Sequence, residues 1–293
     1  MQTLHWRTGY VDAQYLDVAG AVLRPIKQRS YELMRVCAGQ IVLDLGCGLG
    51  FDTMNLANLV GPSGYVVGVD NDQHMIAEAN RRMQQAGLSD RTSHQLGEAT
   101  ALLHPADHFD ACRIERMLMH LVDPSRVVAE LNRVLRPGGW LVLVEPDWGT
   151  LSIATEKVDF ERRLARIRAE QILKNGYSGR QLYQLIRQMN FEEIAVEVTP
   201  VWLNDLARVR YLTILDQVEA FAIAEGLISH AELEDWRSDL QQKDDQGCVF
   251  ASVNIVMVAG RKPVRSEQNT RDHVLRPGKP DSFYPCSETE TQG

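Results

Sequence analysis

"IVLDLGCGLG" (41–50) decides how this chain is read. An apolar run containing one acid, Asp44, leads into glycine at every second position: Gly46, Gly48 and Gly50. The branched apolar residues predict a buried strand over 41–45. Glycine directly after a strand lets the backbone turn sharply and lets a ligand approach it without meeting a Cβ. A nucleotide cofactor is the ligand such a loop serves.

Working outward, strands and helices alternate. "YVVGVD" (65–70), "TSHQLG" (92–97), "FDACRI" (109–114) and "WLVLVEP" (140–146) read as strands. Helices are predicted over 51–60, 71–87 and 123–139, the last ended by Pro137 and two glycines. Asp72 is a candidate N-cap, with Met75, Ile76, Ala79 and Met83 on one face. Such alternation implies parallel βαβ crossovers and a doubly wound sheet, with ligands outside the carboxyl ends of the strands. Ahead of it, residues 1–40 form an N-terminal helical segment, with Pro25 near a helix start and Gly39 as its stop.

The second half is organised differently. Helices are expected over 158–176 and 179–190, and an alternating strand over 191–202. Two helices follow, 204–226 and 229–243; Ser229 and Glu232 have capping-box spacing. A last strand spans 248–260. Residues 261–293 are polar and proline-rich, and are expected to be a disordered tail.

The chain has 293 residues and a net charge of −8, which gives no general pull toward nucleic acid or an anionic membrane. No apolar run is long enough to predict a membrane span. The opening "MQTLHWRTGY" lacks a basic-then-apolar pattern, so a cytoplasmic protein is expected. The five cysteines are widely spaced without CxxC, so no metal site is expected and the thiols read as reduced.

A dinucleotide fingerprint places its third glycine three residues after the second. Phe51 stands there, so the pattern is GxGxG and an NAD oxidoreductase is disfavoured. Asp70 ends the second strand 20 residues after Gly50. An ionised carboxylate at that point can accept from both ribose hydroxyls.

Together these stretches resemble the class I S-adenosylmethionine-dependent methyltransferases. "VLDLGCGLG" is similar to that family's first motif, "GVDND" to its second and "GEA" (97–99) to its adenine-contact motif. "FDACRIERMLMHLVDPSRVVAELNRVLRPGGWLVLVEPDW" (109–148) is similar to the later ones. The nearest flavour is the ubiquinone/menaquinone-biosynthesis-like and natural-product enzymes. The resemblance covers residues 20–150 well, is vague over 151–260 and is absent beyond.

The resemblance implies an α/β fold: a Rossmann-like, doubly wound, seven-stranded sheet whose last strand is antiparallel. The methyltransferase domain then spans 41–260, with 203–246 as a helical lid insertion between strands six and seven. It also implies a cofactor site. Gly46, Cys47 and Gly48 approach the methionine portion, and Asp44 orients the loop and the methionine amino group. Asp70 holds the ribose with Asn71 beside it, and Met75 or Ile76 covers an adenine face. Glu98 stands where the family often has aspartate; it or the backbone of Ala99 reads adenine. Arg113 lies beside the methionine moiety through its backbone, its guanidinium turned to Glu115 or to the methionine carboxylate. Arg29 and Tyr10 could reach that carboxylate from the N-terminal segment.

On the acceptor side, His120 is the candidate general base and Trp148 the candidate substrate wall. The expected function is methyl transfer from S-adenosyl-L-methionine to a small, largely apolar or aromatic acceptor. A non-catalytic binding protein of the same fold is the alternative. A nucleic-acid methyltransferase is less favoured, because "RIER" replaces the (Asp/Asn)-Pro-Pro-aromatic motif. The sequence leaves open the acceptor's identity, the atom methylated and the oligomeric state.

Overall fold

The computed structural model describes residues 13–264; residues 1–12 and 265–293, and with them Tyr10 and most of the predicted tail, lie outside the described residues. Seven strands form one sheet: β1 (Ile41–Leu45), β2 (Tyr65–Asp70), β3 (Thr92–Leu96), β4 (Phe109–Glu115), β5 (Leu135–Ile153), β6 (Glu192–Leu203) and β7 (Ala251–Arg261). Their order is β3-β2-β1-β4-β5-β7-β6. β1 to β5 pair in parallel, and β7 runs antiparallel to both β5 and β6. The sheet expected from the sequence is therefore present, with the seventh strand beside the fifth. Chain order reverses between β1 and β4, which makes their carboxyl ends the switch point where doubly wound sheets bind ligands.

The parallel strands are buried on both faces, which is why they read as continuous apolar runs. One face carries the core of Leu43, Leu45, Val127, Leu131, Leu182 and Ile186. The other packs Val42, Leu56, Val60, Val66 and Met83. Helices α3 (Phe51–Val60), α4 (Gln73–Gln85), α5 (Pro124–Val134) and α7 (Ser178–Gln188) supply these layers. Asp72 caps α4 as expected, accepting from the His74 and Met75 amides.

Several predicted boundaries are corrected. The N-terminal segment is two helices, α1 (Ala13–Val22) and α2 (Arg24–Leu33), and α2 stops ahead of Gly39. α5 ends at Val134, and "LRPGG" opens β5 instead of closing a helix, because Leu135 is already extended and pairs with Phe109. β5 runs on to Ile153 through an irregularity between Asp147 and Ser152. The helix expected over 158–176 is α6 (Val158–Ile167) followed by a π turn, Arg168–Ile172. The helix expected over 204–226 is split into α8 (Leu206–Leu212) and α9 (Leu215–Ala224), since Ile214 adopts a left-handed φ of 48°. α10 (His230–Asp245) opens with the predicted Ser229–Glu232 capping box.

α8, α9 and α10 form a separate core with α6 and the far end of β5. Trp148, Leu151, Ile153, Phe160, Val209, Val218 and Trp236 meet there. The buried Glu219 carboxylate accepts from Trp236 Nε1 at 3.0 Å and pairs with Arg237 at 2.6 Å, tying α9 to α10.

At the opposite edge, Lys262 closes the fold. Its Nζ donates to the Asn132 and Leu135 carbonyls at 2.6 and 2.5 Å and pairs with Asp107 at 2.7 Å. A cation there satisfies carbonyls left open at the end of α5 and complements its dipole. Lys262→Ala should cost about 1.5–3 kcal/mol, the range for hydrogen bonds involving a charged group. Urea unfolding with both proteins at one pH measures it.

Candidate cofactor and acceptor site

The glycine loop is pinned to β2. The amides of Gly46 and Cys47 both donate to the Val69 carbonyl, at 2.7 and 3.1 Å. Gly46 and Gly48 have φ of 75° and 48°, in the left-handed region that favours glycine. A Cβ on Gly46 would come within 3.0 Å of Met117 Sδ. The Gly48 amide donates to Asp70 Oδ2 at 2.9 Å, and the Asp72 amide to Oδ1 at 3.0 Å. The loop and the acid at the end of β2 are thus in direct contact. Burial pushes the Asp70 carboxyl up, and these amides offset part of that. A carboxylate has about four lone-pair sites, so acceptor capacity remains for a diol. Burial, then the charges of Asp44 and Asp70, push the Cys47 thiol well above its usual range.

Asn71 is exposed beside Asp70. The Gly97 amide donates to the Asp70 carbonyl at 2.9 Å, which sets residues 97–99 next to the end of β2. Glu98 there is exposed, and Ala99 packs half-buried against the core.

Asp44 and Arg113 stand opposite each other on β1 and β4. Both are almost fully buried, at 2% and 1% exposure, so each charge needs a partner. Arg113 Nε donates to Ser30 Oγ at 2.9 Å. Its Nη1 lies 3.4 Å from Asp52 and 3.7 Å from Asp44, and its Nη2 pairs with Glu115. The guanidinium therefore turns to Glu115, one of its two anticipated directions. Lys27 reaches the same cluster from α2, with Nζ 2.6 Å from Asp52 and 2.8 Å from Glu115. The Tyr31 hydroxyl donates to Asp52. Burial opposes ionisation of Asp52 and Glu115, yet Arg113 and Lys27 hold both below the usual carboxylate range. Asp44 goes the other way: burial and the Asp52 charge push it up to about 7, while Thr53 Oγ1 donates to it at 3.0 Å. Arg29 turns outward to Glu197 and Glu32, away from this cluster.

After β4 the chain makes a short 3₁₀ turn, Leu118–His120. Glu145, fully buried on β5, holds that turn. Its carboxylate accepts from the amides of Met117, Leu118 and Met119 at 2.7, 2.7 and 3.2 Å, and from Ser178 Oγ at 3.0 Å. Burial outweighs these donors and pushes Glu145 up to about 7. Burial lowers His120 to about 4, helped by the charges of Arg116, Lys174 and Arg168. Its imidazole is neutral at pH 7 and holds a proton weakly.

Beyond the turn lies an open cleft with nearly apolar walls. Trp148, Leu151, Leu203 and Leu212 line it from the β5 extension, β6 and α8, and Tyr15 and Ala19 from α1. Trp148 Nε1 approaches Met119 Sδ at 3.4 Å, fixing the indole. α1 connects the two regions, because Leu16 Cδ1 sits 3.6 Å from the Cβ position of Gly48.

The structure thus gathers Asp44, Gly46, Cys47, Gly48, Asp70 and Arg113 at the switch point; Trp148 lines the apolar cleft, whereas His120, on the turn after β4, is not among the residues lining it. Sequence reasoning missed Lys27, Asp52 and Glu145. For Glu145 a signal existed, an acid closing an apolar strand in "WLVLVEP". No cluster of three or more metal-ligating side chains occurs among the described residues. No helix among them is long and apolar enough to cross a membrane.

Comparison with known proteins agrees with this geometry. Residues 38–199 match a family model described as a methyltransferase domain. The chain is 32% identical over 253 residues to an uncharacterized 37.1 kDa protein in transposon TN4556 of Streptomyces fradiae, covering 85% of this chain and 71% of that one. It is 31% identical to the ubiquinone/menaquinone biosynthesis C-methyltransferase UbiE of Pseudomonas paraeruginosa, over 58% of this chain and 67% of that one. It spans about half the length of two further curated relatives. The solved structure of geranyl diphosphate C-methyltransferase from Streptomyces coelicolor shares the fold, with a TM-score of 0.52 at 16% identity over 82% of this chain and 77% of that one. The chain belongs to this methyltransferase family and is a class I S-adenosylmethionine-dependent methyltransferase.

The Glu145 cluster generates a stability prediction. Glu145→Ala leaves the buried Leu118 amide and the half-buried Met117 and Met119 amides without their acceptor and should cost about 3 kcal/mol. An acid raised in the fold holds its proton more tightly there than in the unfolded chain, where its pKa is about 4.3. Its contribution is therefore full below that value and fades as pH rises through about 7. Glu145→Gln cannot ionise, so its unfolding free energy should fall less steeply than wild type between pH 5 and 8, as read from urea titrations at several pH values.

Proposed function

We propose that the protein transfers the methyl group of S-adenosyl-L-methionine to a small, largely apolar or aromatic acceptor held in the Trp148 cleft. The observation that carries this reading is the adjacency of two unlike sites. A polar cradle of positive-φ glycines and Asp70 touches one side of α1, and a nearly apolar cleft opens on the other. The name of the relative UbiE, a C-methyltransferase of quinone biosynthesis, supports an acceptor of that character.

The cradle fits an adenosyl cofactor, because its glycines leave backbone bare and Asp70 keeps acceptor capacity. When bound, S-adenosylmethionine supplies a methyl group already activated on a sulfonium, for in-line displacement. The remaining work falls to the chain. Asp70 accepts from the ribose hydroxyls with Asn71 beside it. The Ala99 backbone reads adenine, and the exposed Glu98 closes over it. Gly46, Cys47 and Gly48 bring bare backbone against the methionine end. Asp44, near 7, answers a cationic amine, and Arg113 holds Asp44 and Asp52 in place. Trp148 and the α8 residues align the acceptor and exclude water, the main catalytic contributions a reaction of this kind needs.

The test is calorimetric titration with S-adenosylhomocysteine. The wild-type protein should bind it and not NAD. Asp70→Ala should weaken binding roughly 10- to 150-fold, the loss of about 1.5–3 kcal/mol for a charge-assisted hydrogen bond. No affinity for the methyl donor or its product, or tight binding of NAD, contradicts the proposal. Incubation with labelled methyl donor and cell extract, followed by mass spectrometry of the labelled product, separates an enzyme from a non-catalytic binder.

A further inference from the structure

Helix α8 ends where nothing in its sequence stops it. "LARVRYLTILDQVEAFAIA" (206–224) contains neither glycine nor proline, yet α8 closes at Leu212 and α9 begins at Leu215. The break falls on Ile214, whose φ of 48° is left-handed. Among the described non-glycine residues with positive φ, Ile214 is the one β-branched side chain, and a branched Cβ is strained there. Strain of this kind persists only where the surroundings enforce it, and it gathers at ligand clamps and switch segments.

The contacts that enforce the bend are specific to it. In a continuous helix the Leu212 carbonyl takes the Asp216 amide and the Thr213 carbonyl takes the Gln217 amide. Here the Gln217 amide turns to the Ile214 carbonyl at 3.0 Å. The freed Thr213 carbonyl accepts from Arg168 Nη1, and the Leu212 carbonyl accepts from the Tyr15 hydroxyl at 3.1 Å. Arg210 on α8 pairs with Asp216 and, at 2.8 Å, with Glu219 on α9. Arg210 and Glu219 stand nine residues apart. On a straight helix that spacing puts two residues about 13.5 Å apart along the axis and on opposite sides, where they cannot meet. Glu219 keeps Trp236 Nε1 and Arg237 as partners without Arg210. The bent chain thus gains two side-chain donors and an ion pair, whereas a straight chain regains backbone bonds and sheds the strain at Ile214. Opposed terms of this kind make an element bistable.

Helix α8 is also a wall of the apolar cleft, through Leu212 and Thr213. Straightening α8 onto α9 carries that wall off the cleft. We propose that α8 is a lid and Ile214 its hinge: the bent arrangement covers the cleft, and a continuous α8–α9 helix uncovers it for entry and release. This rests on the reading above in taking the cleft as the acceptor's seat. The cofactor side touches the same latch. Tyr15, which holds the Leu212 carbonyl, belongs to α1, and its neighbour Leu16 lies 3.6 Å from the Cβ position of Gly48.

Stopped-flow mixing of the full chain with N-phenyl-1-naphthylamine, an apolar dye that brightens when buried, tests the hinge through Ile214→Ala and Ile214→Gly. Both variants lose the same packing beyond Cβ. They differ at the backbone, because alanine favours the straight helix and glycine accepts a left-handed φ without strain. The alanine protein should take up and release the dye roughly 5- to 30-fold faster than the glycine protein, with equilibrium affinities within about twofold of each other. Arg210→Gln removes the ion pair that only the bend allows and should speed both steps roughly 2- to 5-fold over wild type. Equal rates in the alanine and glycine proteins overturn the proposal. So does a difference carried by release alone, which marks a reshaped cleft instead of a gate. Unchanged rates in Arg210→Gln overturn it on their own, even if the Ile214 variants fail to fold. Failure of wild type to bind the dye overturns it too, because the cleft then takes no apolar molecule. Titration of wild type with S-adenosylhomocysteine keeps the two readings apart. Cofactor binding with equal alanine and glycine rates sinks the hinge alone, and dye gating without cofactor binding sinks the methyltransferase reading alone.

Discussion

The buried charge cluster around Arg113 is the constraint on which the site depends. Two cations, Lys27 and Arg113, meet Asp44, Asp52 and Glu115 at the carboxyl ends of β1 and β4. Removing one member of such a cluster leaves uncompensated charge in a low-dielectric interior and costs about 3–5 kcal/mol. Its five members come from four elements: Asp44 from β1, Asp52 from the start of α3, Arg113 and Glu115 from the carboxyl end of β4, and Lys27 from α2. The cluster therefore fixes the first turn of α3 against the sheet, and with it the exit of the glycine loop. It also holds α2, and through α2 the helix α1 that separates the cradle from the cleft. Asp44 is the odd acid in this arrangement. With the two cations already matched by Asp52 and Glu115, it sits near 7, at the point where an incoming cation changes its protonation most.

The same logic organises the turn after β4 and the apolar cleft. Glu145 gathers three consecutive amides and sets the turn that carries His120. Trp148 follows three residues later on the same strand, so one stretch of β5 positions both the turn and the cleft wall. The irregularity between Asp147 and Ser152 lets β5 continue past the sheet edge, where α6 and α8–α10 pack on it. The glycine cradle on β1 and β2 and the apolar cleft on β5 thus stand on either side of β4 and rest on largely separate cores. This division suits a fold in which acceptor choice varies while the nucleotide end is kept.

The nucleotide end was legible in the sequence because its contacts join residues at strand ends, which parallel register brings together. Gly48 meets Asp70 because β1 and β2 are neighbours, and both chemistries are written in a few letters. The seven-strand order was legible through the family resemblance, and the Ser229 capping box through local spacing. What was not legible has a common cause. Lys27 joins Asp52 and Glu115 across 25 and 88 residues of chain, and nothing beside "PIKQRS" marks it as buried. Arg168 lies in an amphipathic helical run, "RRLARIRAE", where it looks like one more solvated arginine. It falls on the buried face of that run, where Glu161, Leu164, Ala165 and Arg168 stand at i, i+3, i+4 and i+7, so that its charge argues for solvent and its spacing for the core. "LRPGG" looked like a helix stop because proline and glycine end helices, whereas the pairing of Leu135 with Phe109 had already begun the next strand. Ile214 split a helix with a left-handed φ that its side chain disfavours, so no turn residue announced the break.

Amide hydrogen exchange with and without S-adenosylhomocysteine is the most direct test of the central claim, that the buried charge cluster couples α2 to the cofactor cradle. The account predicts that ligand slows exchange in residues 44–50 and in residues 24–33 together, with little change in residues 230–245. Protection of the glycine loop with no change in α2 would show that the cluster does not transmit cofactor binding, and protection confined to α10 would place the ligand elsewhere.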